Sequence, residues 1–166
     1  MRILIVEDDG GSRAILHEHL RARGWEVRCA ERPEQALRLL EQEGADLVLT
    51  DIHLPGAGGT GHIRALCRHG CAPDQVHPGG TPVVVMTGYP SLETCLDSIQ
   101  HGAAGYLVKP FRVSEFVDLA ERALAERRLL ARAQALEARV NELELELGRL
   151  RALPPASATD GPRVSR

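Results

Sequence analysis

Five short apolar runs, separated by stretches with helical spacing, constrain this chain more than any other feature. They cover Arg2–Glu7, Glu26–Cys29, Asp46–Asp51, Pro82–Thr87 and Gly105–Lys109. Within them, Leu47-Val48-Leu49 and Val83-Val84-Val85 are apolar at consecutive positions rather than alternate ones. A strand with one wet face alternates; a strand covered on both faces does not. The runs therefore predict a parallel sheet sandwiched between helices. The segments between them predict helices near 12–23, 33–43, 58–69 and 91–101. Pro33 suits a first helical turn, Ser91 suits an N-cap, and Gly24, Gly44, Gly70 and Gly102 suit helix stops. Strand and helix in alternation, with right-handed crossovers, give an α/β, doubly wound open sheet.

Aromatic residues are only 3% of the chain, so the core has to be built from Leu, Val, Ile and Ala. A length of 166 residues leaves room for one domain plus an appendage. With a net charge of -3 and no basic stripe, no nucleic-acid partner is expected. No apolar run approaches the roughly 20 residues that cross a bilayer, so no membrane partner is expected either. The first run is too short for a signal peptide and meets acid at once, which points to the cytoplasm. Cys29, Cys67, Cys71 and Cys95 are then expected as reduced thiols.

From about Arg112 the pattern becomes one helical stretch that runs to about Leu153, where Pro154-Pro155 stops it. A heptad seam is unbroken from Leu129 through Ala133, Leu136, Val140, Leu143, Leu147 and Leu150. Upstream, Arg122 and Glu126 leave the same seam polar. In a parallel dimer, Arg132 faces Glu137, Arg139 faces Glu144 and Glu146 faces Arg151, all opposite in sign. The expectation is a parallel homodimer. A single amphipathic helix folded on its own domain, or bound to another protein, is the alternative. Leu130 and Leu145 fall outside the seam and offer a second apolar stripe. The division expected is a domain at 1–125, a coiled-coil extension at 126–153 and a disordered tail at 154–166.

Ligands of an open parallel sheet bind beyond the carboxyl ends of its strands. Glu7-Asp8-Asp9, Asp51, Thr87 and Lys109 all fall at such ends. Crowded carboxylates repel unless a cation enters, and oxygen-only ligands suit Mg²⁺. Asp51 is placed to act as a nucleophile toward phosphorus, Lys109 to offset charge on the phosphoryl oxygens, and Thr87 to donate a hydroxyl.

The segments Ile3-Leu4-Ile5-Val6-Glu7-Asp8-Asp9, Leu49-Thr50-Asp51-Ile52-His53-Leu54-Pro55-Gly56, Val85-Met86-Thr87-Gly88-Tyr89 and Gly105-Tyr106-Leu107-Val108-Lys109-Pro110-Phe111 resemble the response-regulator receiver family of two-component signalling. The resemblance implies a flavodoxin-like, five-stranded sheet of order 2-1-3-4-5 with an extended C-terminal helix. It implies Asp51 as phosphoacceptor and Mg²⁺ held by Glu7, Asp8, Asp51 and the backbone carbonyl of His53. Thr87 and Tyr106 would form the switch, and the Lys109-Pro110 bond would be cis. The phosphoryl donor would be a sensor histidine kinase or a histidine phosphotransfer protein. Such a chain is a phosphoacceptor rather than an enzyme. Its output would be contact with a downstream protein that the sequence does not identify. A phosphorelay intermediate and a constitutive dimeric adaptor are the other functions compatible with these residues. Most receivers precede an effector domain, and only about a dozen residues follow the helix here, so none is expected. One departure from the family is the long Cys67–Thr81 connection. Its Cys67, His69, Cys71 and His77 raise zinc as a secondary idea, although their spacing matches no common finger.

Overall fold

Ile3 sits in register between Val27 on one side and Leu47 on the other, and that pairing fixes the middle of the sheet. The computed structural model describes residues 1–56, 60–69 and 80–151. Its elements are β1 (Arg2–Val6), α1 (Gly10–Arg21), β2 (Glu26–Ala30), α2 (Pro33–Glu43), β3 (Leu47–Asp51), α3 (Gly61–Arg68), β4 (Val83–Thr87), α4 (Leu92–Gln100), β5 (Gly105–Val108) and α5 (Val113–Arg151). The strands are parallel throughout and ordered β2-β1-β3-β4-β5, as the resemblance implies.

The consecutive apolar residues divide between two cores. Ile3, Ile5, Leu47, Leu49, Val84 and Met86 face Leu16 and Leu20 of α1 and Phe116, Ala120 and Leu124 of α5. Leu4, Val6, Val48, Val83 and Val85 face Ala36 and Leu40 of α2 and Ile63 and Leu66 of α3. Every residue of β3 and β4 is buried. Each large aliphatic side chain so placed contributes about 1.5–3 kcal/mol.

Helix boundaries follow local hydrogen bonding. α1 starts two residues before the sequence expectation, because the Asp9 carboxylate accepts from the Ser12 amide at 2.7 Å and caps Gly10 and Gly11 into the first turn. α3 starts at Gly61, and its leading residue Thr60 gives its hydroxyl to Asp97 of α4 at 3.2 Å instead of capping. Ser91 and Thr94 form a reciprocal capping box at the start of α4, and Pro33 occupies the first turn of α2. Gly44 caps α2 directly with φ of 67°, a conformation that favours glycine. Gly24 and Gly102 lie just beyond the caps Ala22 and His101, and Gly70 falls outside the described residues. The Lys109-Pro110 peptide is cis.

β5 lies so close to α5 that residue 105 has no room for a side chain. A Cβ on Gly105 would stand 2.4 Å from Cδ2 of Leu119. α5 continues for 39 residues, and the chain groups into two compact units, Met1–Ala131 and Arg132 onward. In the second unit Leu136, Val140, Leu143, Leu145 and Leu147 are all exposed in the single chain. There Arg139 pairs with Glu142 along the same helix, Nη1 to Oε2, at 2.5 Å. Of the residues that suggested zinc, Cys71 and His77 lie outside the described residues, as does the tail at 154–166.

Candidate functional site

Two of the loaded positions are last residues of strands, Asp51 of β3 and Thr87 of β4. Two are first residues beyond strands, Glu7 after β1 and Lys109 after β5. All four meet at the carboxyl edge of the sheet. The ladder persists past the strand ends there: Glu7 N–H donates to Ala30 O at 3.0 Å, and Lys109 N–H donates to Thr87 O at 2.8 Å.

Glu7 is almost wholly buried, at 1% exposure, and Asp51 is buried beside it. The Lys109 ammonium donates to Glu7 Oε2 and, at 2.5 Å, to Asp51 Oδ2. The other Asp51 oxygen, Oδ1, accepts from the His53 amide at 2.8 Å. Burial pushes the Glu7 carboxyl above its ordinary range; the nearby Asp51 adds to this, and Lys109 only partly offsets it. Burial alone would lower the Lys109 ammonium, but Asp51 and Glu7 outweigh it and hold the group above its ordinary value.

The neighbouring residues divide into holders and exposed groups. Asp8 is exposed, and Asp9 is committed to the cap of α1. The capping bond from Ser12 also draws the Asp9 carboxyl below its usual range. Arg13 braces the acidic turn. Its Nη1 donates to the carbonyls of Glu7 at 2.7 Å and Asp8 at 3.2 Å, and its Nη2 reaches Glu31 at 2.7 Å. The Thr87 hydroxyl is buried and accepts from the Tyr89 amide at 3.1 Å, which leaves its own hydrogen free to be donated elsewhere. The Tyr106 hydroxyl lies 3.1 Å from Thr94 Oγ1 of α4. The rings of His53 and Tyr89 meet edge to face, with centroids 5.8 Å apart.

The donor set fits a hard divalent cation. It offers the buried carboxylates of Glu7 and Asp51, the Glu7 carboxyl held above its ordinary range, with a single ammonium between the two. Among the described residues no three His, Cys, Asp or Glu side chains form a ready-made cage. Mg²⁺ does not require one, since it takes one or two carboxylates and completes its shell with water and phosphate oxygens.

His62 escaped the sequence reading. It is buried on α3, and its Nε2 lies 3.0 Å from the backbone carbonyl of Asp51. The available signal was a polar residue on the helix face that also carries Ile63, Leu66 and Cys67.

Comparisons with known proteins agree on one family. The family model described as response regulator receiver domain matches residues 3–121. The regulatory protein AtoC of Escherichia coli strain K12 is 36% identical over 123 residues, which are 74% of this chain and 25% of AtoC. A CheY-like receiver domain protein from Methanospirillum hungatei JF-1 is 31% identical with a TM-score of 0.67, over 76% of this chain and 95% of that one. A Burkholderia pseudomallei response regulator was solved with a phosphorylated aspartic acid, a calcium ion and citrate. It is 28% identical with a TM-score of 0.64, over 84% of this chain and 74% of its own. The chain spans about a quarter of the length of the curated relatives it matches. Among the described residues no helix is long and apolar enough to cross a membrane.

Proposed function

The chain belongs to the response regulator receiver domain family, and we propose that Asp51 is its phosphoacceptor. The observation that carries the reading is the contact of Lys109 with both Glu7 and Asp51, which brings residues from three strand ends onto one nucleophile. The phosphoryl donor is a phosphohistidine on a sensor kinase or on a phosphotransfer protein. An Asp51 carboxylate oxygen attacks phosphorus, the P–N bond to histidine breaks as the P–O bond forms, and an aspartyl phosphate results.

Glu7, Asp8, Asp51 and the His53 carbonyl would hold Mg²⁺, which offsets charge on the phosphoryl oxygens when bound. Lys109 already touches Asp51 and needs to move little to pair with a phosphoryl oxygen. The Thr87 hydroxyl donates to the same group, and its shift opens space into which Tyr106 turns. This is a shift between two populated arrangements rather than a new fold. The chain accepts one phosphoryl group and later loses it, as a signalling component in the cytoplasm rather than an enzyme acting on a separate substrate.

The output we propose is protein contact, with residues 1–125 as the receiver, 126–153 as a parallel coiled coil and 154–166 as a tail. The exposed Leu136, Val140, Leu143 and Leu147 support the coiled coil, and the lack of a basic stripe argues against nucleic acid as the partner of these residues. Treatment with acetyl phosphate and Mg²⁺ tests the central claim. Wild type gains one phosphoryl group in mass and Asp51→Asn gains none; equal behaviour of the two would refute it.

A further inference from the structure

We infer that His62 is a positioning residue for Asp51, holding the backbone carbonyl of the phosphoacceptor and through it the aim of the carboxylate. The inference rests on Asp51 being the phosphoacceptor. Its footing is a buried imidazole in a layer that is mainly apolar. Ile63, Leu66 and Cys67 are the other buried residues of α3, and they pack with Leu4, Val6, Val48 and Val85 of the sheet. A polar ring taken out of water there needs partners.

His62 finds one in Asp51. The carbonyl only accepts, so the hydrogen between them sits on Nε2. The Thr50 hydroxyl donates to the same oxygen at 3.1 Å and lies 3.4 Å from Nε2. Two donors, one from the helix and one from the strand, thus converge on one carbonyl. The N–H of that same peptide unit belongs to Ile52 and donates to Met86 O of β4 at 3.0 Å. The peptide plane joining Asp51 to Ile52 is therefore held at both edges. That plane sets where Cβ of Asp51 points, and where the His53 amide meets Oδ1. In-line attack on phosphorus tolerates little misalignment, so loosening the plane slows the chemistry while leaving the pocket intact.

The full chain carrying His62→Gln or His62→Met provides the test. The two side chains are alike in length and unbranched, but only the glutamine donates a hydrogen bond. Asp51 phosphorylation by acetyl phosphate in Mg²⁺ is followed over a range of donor concentrations. His62→Met should lower the rate at saturating donor by about tenfold, with the half-saturating concentration unchanged. His62→Gln should restore the rate to within about twofold of wild type. Equal rates in the two variants, or a wild-type rate in His62→Met, overturn the inference. A second measurement needs no variant to fold. In the wild-type protein, nitrogen NMR should show the His62 proton on Nε2, with a resonance that moves when Asp51 is phosphorylated. A bare Nε2, or a resonance that stays put, overturns it equally. Failure of the phosphoacceptor reading looks different, because wild type and Asp51→Asn would then match in mass.

Discussion

Lys109 Nζ lies 2.5 Å from Oδ2 of Asp51 while also donating to Glu7, so one ammonium serves two carboxylates drawn from distant parts of the chain. The Lys109 side chain keeps 23% of its surface exposed, whereas that of Glu7 keeps 1%. The pair is thus buried on the acid side and partly wet on the base side.

Replacing Lys109 with methionine leaves two adjacent carboxylates without their cation. Removing one partner from a fully buried pair costs more, but partial exposure of Lys109 reduces the loss here to about 2 kcal/mol. In chelator, Lys109→Met should unfold at lower denaturant than wild type by that amount. Added Mg²⁺ should recover part of the loss, because it replaces the missing positive charge. Phosphorylation of Asp51 should slow by at least about tenfold, since charge on the phosphoryl oxygens is no longer offset. A variant as stable as wild type in chelator would contradict the arrangement.

The sheet was legible because both-face burial leaves a direct mark. Val83-Val84-Val85 is apolar at consecutive positions, as a strand covered on both faces should be, and its three residues divide between the two cores as that pattern requires. The site was legible for a related reason: strand ends deliver their next residues to one edge, so Glu7, Asp51, Thr87 and Lys109 could be placed together without coordinates. His62 was not legible, because its role depends on a contact between α3 and the end of β3 that no local pattern encodes. The start of α1 was obscured by Gly10 and Gly11, poor helix formers whose placement depends on the Asp9 cap. Leu119 packs against β5, so this part of α5 serves the domain core.

Glu7 makes stability depend on pH in a stated direction. Its folded pKa is raised, chiefly by burial, so between the ordinary carboxylate value of about 4.3 and the raised one the folded chain keeps a proton that the unfolded chain has lost. The folded state binds more protons in that window, and stability falls as pH rises through it. Glu7→Gln removes the titration. In chelator, the unfolding free energy of wild type should decline relative to Glu7→Gln as pH climbs from about 4.3 toward neutrality. The reverse slope would mean that Lys109 governs the carboxyl and burial does not.

Gly105 and Leu119 test how α5 is seated. A Cβ at position 105 would lie 2.4 Å from Cδ2 and 2.7 Å from Cγ of Leu119, too near for either to remain in place. Gly105→Ala should cost about 1–3 kcal/mol, the usual penalty of overpacking. Leu119→Ala opens the space, so the double variant should be more stable than the two single losses added together. Simple additivity in denaturant unfolding would show that the contact does not limit packing.

The C-terminal helix offers the sharpest test of output, because its prediction turns on charge rather than on apolar area. Exposed Leu136, Val140, Leu143 and Leu147 would drive association of any helical kind. Only a parallel, in-register pair sets Arg132 against Glu137 and Arg139 against Glu144 of the second copy. In the single chain Arg139 instead reaches Glu142, three residues along its own helix, and it must turn away to engage a partner. Wild type is expected as a dimer by sedimentation equilibrium at tens of micromolar. Arg132→Glu together with Arg139→Glu converts each attraction into a repulsion, and each contact occurs twice by symmetry. At about 0.5 kcal/mol per exposed pair, dissociation should strengthen by more than tenfold. Adding Glu137→Arg and Glu144→Arg restores opposite signs and should restore the dimer. An antiparallel pair does not form these contacts, so restoration by the fourfold variant distinguishes the two orientations. A wild-type monomer at this concentration would refute the homodimer and leave a single amphipathic helix, folded on its own domain or bound to another protein.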